Sequence, residues 1–576
     1  MLPSLCCGDR KFVRIVLAVL VFFVFASLAS AQTDTWTGNA GNWSDPKQWS
    51  NGVPVTGDNI VINTAAAIST DDFSLAIGQL TLENSNDFLK IKDGVALNVS
   101  GTIANQSIID LESAGTNTYL LITGSQSLSG TGIINLLYTG PNYITGASGS
   151  GTEVLTNANT IEGVGNIGNG AMGLVNNGTI IASNAAGNLF INVSSAGLNN
   201  TGTLMAISGN LTIQAPANSF LNYNATTNTL TGGTYIATFG SIYFPASSSG
   251  ITTLSASVTQ VGGGQIINST TGTNALANLK SITSKGALTT QVGFTQPGAF
   301  SMAGALNILP NTEFKVGSVT QINSSGTLTG GQWVLDSNLI ITGPAQNITT
   351  NNATVTLSGG TFKNAGGSDA FATLNTNQKT LSIMNFAKFS PSNSLINNGQ
   401  LTVGKGSKVI FRAGFGYQQN AGKTTNDGTL VSQIGINGGI LLGAGSVSGD
   451  LGVGVRSGSH ATFSVGDPGN SAQAKVTGTY TQWPTGILST GIGGPTVGTQ
   501  YSQLKAGHAT LAGTLAAPLL NGFTPTVGQT FTVVSASPVV GTFSNTTIPI
   551  NSSEHFAISY TTTKVVLTVV SGPAAE

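Results

Sequence analysis

From residue 59 to about residue 465, short runs rich in Val, Ile, Leu, Thr and Phe alternate between apolar and polar positions. Each run is closed by Gly, Asn, Ser or Asp, the residues that turn a chain between strands. Leu211-Thr212-Ile213 and Leu401-Thr402-Val403 are typical. No useful length carries a helical apolar period, so the pattern predicts strands throughout. One phrase also recurs. Val175-Asn176-Asn177-Gly178-Thr179-Ile180 returns as Leu198-Asn199-Asn200-Thr201-Gly202-Thr203-Leu204, with an earlier version at Leu155 and a degenerate one at Leu221-Asn222. The starts lie 20, 23 and 23 residues apart. A sandwich of hairpins would destroy such spacing, whereas a parallel β-solenoid needs one turn of about this length.

The expected fold is therefore all-β, a right-handed parallel β-helix. Coils of about 22 residues give roughly 18 turns and, at about 4.8 Å per stacked strand, a body on the order of 85 Å long. Asn and Thr at equivalent positions are expected to stack in ladders along the axis. The Asn and Gly of the recurring phrase are expected at coil corners, where they tolerate the left-handed conformation. A longer repeat overlies the short one: Leu279, Phe294, Gly304, Leu306 and Ile308 return 95 residues later as Leu374, Phe389, Gly399, Leu401 and Val403. LTGGTY at 230–235, LTGGQW at 328–333 and LSGGTF at 357–362 read as one shared phrase.

The two ends break the pattern. Residues 1–31 read as a secretory signal peptide: Arg10, Lys11 and Arg14 precede the apolar run Ile15 to Phe25, and Ala29-Ser30-Ala31 fits small-residue cleavage. That run is shorter than the ~20 residues of a membrane span. Cleavage would leave Gln32 at the N-terminus and remove Cys6 and Cys7, so the mature chain would hold no disulfide. Residues 32–58 form a turn-rich segment with Trp36, Trp43 and Trp49. It is expected to be an N-terminal cap, followed by repeats over 59–465 and a less regular C-terminal β module over 466–576.

Composition narrows the partners. Charged residues are 7% against about 25% in ordinary soluble domains, and the net charge is −1. No basic patch exists, so nucleic acid is not an expected partner, and no apolar stretch beyond the leader predicts membrane insertion of the mature chain. The expected location is secreted, extracellular or on the cell surface.

Candidate chemistry is thin. Clustered carboxylates, or carboxylates beside Lys or Arg, would suit a polysaccharide-active site. Asp110 and Glu112, two apart on one strand, are the best pair, although Ile109 and Leu111 turning inward would make them simply the wet face. Asp71-Asp72 and Glu162 read as acids in turn-like contexts. His460, His508 and His555 are far apart, so neither metal nor cofactor is expected. Val261-Gly262-Gly263-Gly264 lacks the Asp spacing of calcium-binding glycine repeats, and Asp467-Pro468-Gly469-Asn470 reads as a turn. Trp36, Trp43 and Trp49 either plug the open end of the solenoid or stack on sugars.

Two segments resemble a known family. Trp36-x-Gly38 … Gly41-Asn42-Trp43 … Trp49, with Pro54 and Gly57-Asp58, resembles the N-terminal segment of large secreted bacterial β-helix proteins. Tyr480-x-Gln482 … Tyr501-Ser502-Gln503-Leu504 … Ala509-x-Leu511-x-Gly513-x-Leu515 … Leu520-x-Gly522-Phe523 … Gly528-x-x-Phe531 resembles the C-terminal passenger module of autotransporter-like and hemagglutinin-like proteins. Ser502 stands where an acid is usual, and Gln529 replaces the common Asp. No translocator barrel is expected before the sequence ends at Glu576. The resemblance implies architecture and export more than activity. The resulting expectation is a non-enzymatic, adhesin-like surface making many weak contacts with glycans or extracellular matrix. The alternatives are a secreted polysaccharide-active enzyme on the same fold, or self-association into a layer or filament.

Overall fold

The computed structural model describes residues 31–64, 67–69 and 74–574. The leader, except Ala31, and Asp71-Asp72 lie outside the described residues.

Alternation of apolar and polar residues builds strands that stack coil on coil rather than folding back as hairpins. One sheet runs the length of the body in 21 strands, from Gly41–Asn42 to Thr514–Ala516, all paired in parallel. Its inward column can be followed from Ile68 through Leu89, Ile109, Ile134, Ile161, Ile180, Leu204 and Tyr235. The column continues through Val258, Leu288, Leu306, Trp333, Val355, Leu381 and Leu401. It ends through Thr424, Leu441, Phe463 and Leu488 at Leu515. All are buried, so one apolar rod is shared by every coil. The chain is thus a β-solenoid of about 21 turns, with only two short 3-10 helices, Pro46–Gln48 and Ala370–Thr373, among the described residues. Stacking at about 4.8 Å makes it on the order of 100 Å long.

Two further sheets close the first half: eight strands from Thr33–Thr35 to Leu198–Asn200, and nine from Leu75–Ile77 to Ile266–Asn268. An 18-stranded sheet beginning at Thr327–Leu328 closes the second half. The long strands Thr253–Gln260 and Phe294–Met302 bend around corners and pair with different strands at their two ends, linking the sheets at mid-body.

The coil period is not constant. Thr424 to Leu441 is 17 residues, whereas Leu204 to Tyr235 is 31. Unequal corners also correct the alignment of the recurring phrase. Leu174, not Val175, is the partner of Leu155 and of Leu198, and Asn176 pairs with Asn157 and Asn200. The steps are therefore 19 and 24 residues (Asn157 to Asn176 to Asn200). A one-residue slip would have sent every side chain to the opposite face.

The expected ladder is present, and it lies inside. Asn157 Nδ2 donates to Asn176 Oδ1 (2.8 Å) and Asn176 Nδ2 to Asn200 Oδ1 (2.8 Å), with all three side chains buried. A second ladder links Asn351 to Asn377 (2.8 Å) and Asn377 to Asn397 (2.7 Å). Gln419 continues that column one coil on and donates to Gly438 O (3.0 Å). Left-handed φ is not what places glycine in the recurring phrase, however. Gly178 and Gly202 are not among the left-handed residues. They are small because a Cβ at Gly178 would overlap Asn159 O, and one at Gly202 would overlap Gly178 O.

The longer repeat spans four coils: Leu306 and Leu401 are column partners through Trp333, Val355 and Leu381. The shared glycine phrase does not mark one position. LTGGTY and LTGGQW deliver Tyr235 and Trp333 to the column, whereas LSGGTF delivers Phe362 to a neighbouring sheet beside Leu339.

The ladder does not break at residue 466. Parallel stacking carries on through Gly486–Thr490 and Thr514–Ala516, and only then turns antiparallel. Thr530–Ser535, Lys564–Ser571, Glu554–Tyr560 and Thr547–Pro549 form that antiparallel end, with Phe531 and Phe556 packed edge to face at 6.0 Å. Such an end covers strand edges that a solenoid would otherwise leave open.

Candidate functional site

The three indoles of the N-terminal segment are interior. Trp36, Trp43 and Trp49 are buried and pack ring to ring at 4.9 Å and 4.8 Å. Trp36 Nε1 donates to Asn39 O (3.0 Å) and Trp49 Nε1 to Trp43 O (2.7 Å). Sugar stacking needs an open ring face, and these rings have none, so the trio is corrected from candidate glycan contacts to the packed end of the core. Beside them lies a carboxyl pair that sequence spacing could not reveal. Asp34 and Asp58 are both buried, and burial, with the bond and charge of Asp58, holds Asp34 above the ordinary carboxylate range against the opposing bond from Asn51 (2.9 Å). Twenty-four residues separate them in sequence, and they meet because Thr33–Thr35 pairs with Asn59–Ile62.

Asp110 and Glu112 are not on a wet face. They point away from Ile109 and Leu111, yet are only 4% and 8% exposed. The preceding coil supplies the cover. Lys90 Nζ reaches Glu112 Oε1 (3.1 Å) and Lys92 Nζ reaches Oε2 (2.6 Å), while Asn135 Nδ2 on the next coil donates to Asp110 Oδ1 (2.8 Å). Burial pushes Asp110 up. Burial also works to raise Glu112, but the bonds from Lys92 and Lys90 outweigh it and hold the carboxyl below its ordinary value. Glu162 joins the same outward column beside Asn135.

The signs of these shifts give a test. The Glu112 contribution is complete above its unfolded value of 4.5 and is lost as pH falls through the lower folded value. Asp110 acts oppositely: its contribution is complete below 3.8 and fades as pH rises through its raised folded value. Acidification below pH 3.8, where the Asp110 contribution is already complete, should therefore loosen the coil around Ile108–Glu112 through Glu112 alone, read as faster amide exchange there. Glu112→Gln should abolish that acid response. An unchanged response would show that these ion pairs do not hold the coil.

The remaining sequence candidates stay apart. His460 and His508 are exposed at separate places, and His555 Nδ1 lies 2.8 Å from Gly572 O. Among the described residues no three His, Cys, Asp or Glu side chains gather around one point. Asp467–Asn470 and Val261–Gly264 each close a turn by a backbone bond of 2.9 Å.

An exposed feature emerges elsewhere. Tyr138, Phe239 and Phe386 are 59%, 71% and 78% exposed. Each follows the long sheet by the same corner: Tyr138 is four residues after Ile134, Phe239 four after Tyr235, and Phe386 five after Leu381, all column residues. Phe239 is four coils beyond Tyr138, and Phe386 six beyond Phe239, so the rings span about 50 Å. Two of them sit against glycine on the next coil. Gly262 lies under Phe239 and Gly406 under Phe386, and a Cβ at either glycine would collide with the ring. Tyr138 and Phe386 hold φ of +62°. A bulky residue in that region is strained by roughly 1–3 kcal/mol. The sequence carries a faint signal of this corner, an aromatic inside a turn and out of phase with the alternation, as in Thr238-Phe239-Gly240.

Fold and corner together define a parallel β-helix repeat protein that presents aromatic rings along one corner. The chain matches no family model and no curated protein. Among the described residues no helix is long and apolar enough to cross a membrane.

Proposed function

We propose that this chain is an exported, adhesin-like β-solenoid of the autotransporter-passenger-like or hemagglutinin-like kind, binding glycans or extracellular matrix by many weak contacts. The carrying observation is the row of exposed rings on one corner. Strain at Tyr138 and Phe386 gains little burial, since both rings are mostly exposed and Phe386 rests on Gly406 of the next coil. Strain retained for so little burial points to use of the ring. Flat aromatic faces stack on sugars, and several along one rigid rod add avidity without a deep pocket.

Phe386→Gly removes the strain and the ring together. Its expected result is a stability gain of about 1 kcal/mol with weaker attachment to a densely glycosylated surface. The triple change of Tyr138, Phe239 and Phe386 to Gly should lose far more avidity than the single changes, because the contacts act in series. Full retention of attachment by the folded triple variant would contradict the reading. A second reading, a polysaccharide-active enzyme, draws support from Asp110 and Glu112, adjacent carboxyls with their affinities for protons pushed apart. It requires depolymerisation of a polysaccharide by the wild type and its loss in Asp110→Asn.

A further inference from the structure

The second half of the body carries a groove on its 18-stranded sheet. Its floor is an outward column of coil partners, Thr376, Ile396, Gln418, Gly435, Gly452 and Thr481. Phe415 stands at one corner of this floor and Trp483 at the diagonally opposite one, 39% and 36% exposed. Three coils and several residues along the strand separate them, a diagonal of roughly 20 Å. The groove encloses about 650 Å³.

Gly435 and Gly452 set this groove apart. Glycine weakens a strand, so its presence mid-strand calls for a cause. At Gly443 the cause is a left-handed φ, and at Gly317 and Gly507, both within strands, it is a backbone oxygen that a Cβ would strike. Gly435 and Gly452 have neither. Their φ lies outside the left-handed region, and a Cβ would find its nearest neighbours at 3.7 Å and 3.8 Å, ordinary contact. The fold would accept a side chain at both places. What a side chain would take away is the open floor, and a bare strand floor suits close approach of a ligand.

The lining chooses the ligand. Trp483 is held by the Arg456 guanidinium, 5.4 Å from its ring centre, and its Nε1 lies beside Gly452. Gln418, Gln433, Asn437 and Thr481 offer uncharged donors and acceptors. The one charged lining side chain is Asp450, whose Oδ1 accepts from Thr479 N (2.7 Å). Asp450 and the absence of a cation among the lining residues favour an uncharged ligand over an anionic one, the nearby Arg456 being engaged with the Trp483 ring. The floor strands are paired on both sides, so a peptide cannot add as another strand. We propose that the groove binds a neutral polysaccharide strand, laid over Gly435 and Gly452 between Phe415 and Trp483, an assignment that rests on the glycan-binding reading above.

The test uses the full chain and a panel of soluble neutral oligosaccharides. Trp36, Trp43, Trp49 and Trp333 are buried, so a sugar-induced change in tryptophan fluorescence reports on Trp483. Gly435→Val with Gly452→Val should melt at or above the wild-type temperature, since Val suits a strand, and should bind about tenfold more weakly or worse. Trp483→Ala, which leaves the floor untouched, should also lose binding and the fluorescence change. Wild-type affinity in the folded double-valine variant would overturn the groove while leaving the corner reading intact. Preference for acidic over neutral sugars would overturn the ligand class. If the wild type binds no glycan, soluble or immobilised, the reading itself falls and the groove with it.

Discussion

Gly202→Ala is expected to unlock the stack in the first half of the body, at a cost of about 3 kcal/mol or more. Its methyl would point at Gly178 O and the Asn177 carbonyl carbon, both backbone atoms that no rotamer change can move. The same region holds the buried ladder Asn157–Asn176–Asn200, so prising the coils apart also strips hydrogen bonds from groups with no water to replace them. In a solenoid the damage should be local, because each coil contacts only its neighbours. Amide exchange should accelerate on both sides of the Gly178–Gly202 contact and little at the far end. Gly435→Ala is the natural control, a strand glycine with open space over its Cα, and should be neutral or mildly stabilising. Equal melting of Gly202→Ala and wild type would show that close coil contact is not what fixes glycine in the phrase.

Trp43→Ala is the second large effect. Removing one buried indole from a core of three costs about 3–5 kcal/mol. Unfolding should then start from the N-terminal coils, with early loss of protection in Asn59–Ile62. Glycan attachment by the coils that remain folded should be unaffected, since the corner rings lie elsewhere. The three indoles are not equivalent. Trp36 and Trp49 use their Nε1 as donors, whereas among the described residues Trp43 Nε1 has no partner. Trp43→Phe should accordingly cost less than Trp49→Phe. Intact stability with lost glycan binding in Trp43→Ala would reverse the assignment of the trio to the core.

The solenoid was legible because its cause is local. Alternation with Gly and Asn closures fixes strands and corners, and the returning Asn announces a ladder. The expected 18 or so coils over 59–465 match the 18 long-sheet strands from Ala67–Ser69 to Ala461–Val465, and the other three of about 21 lie outside that range, at Gly41–Asn42, Gly486–Thr490 and Thr514–Ala516, where turns hide the alternation. The register slipped by one residue at Val175 because corners differ in length, and sequence spacing cannot weigh a corner against a strand. Tyr480-x-Gln482 reads as a family signature, yet its chemistry is internal. The buried Tyr480 hydroxyl donates to Gln482 Oε1 (2.6 Å), burial pushes that phenol far up, and Gln482 Nε2 donates to Gly486 O (2.9 Å). Tyr417 and Gln419 repeat the device three coils earlier in the same column.

The candidate surfaces are not legible in the sequence, for a related reason. Lys90 and Lys92 meet Glu112 only across a coil boundary, and Gly435 meets Gly452 only once unequal corners are counted correctly. Tyr138, Phe239 and Phe386 fall in turns, where alternation says nothing about which way a ring faces. Rings are densest in the tryptophan cluster, where they pack the core and display nothing.

Recognition of glycans is proposed to come from rings displayed along a rigid rod. Its most direct measurement is binding of the purified chain to one set of glycans presented two ways, dense on a surface and free in solution. The account predicts firm attachment to the dense surface, much weaker binding to the free sugars, and collapse of the difference when Tyr138, Phe239 and Phe386 are all changed to Gly. Equal binding in both presentations, or a folded triple variant that attaches as the wild type does, would contradict it.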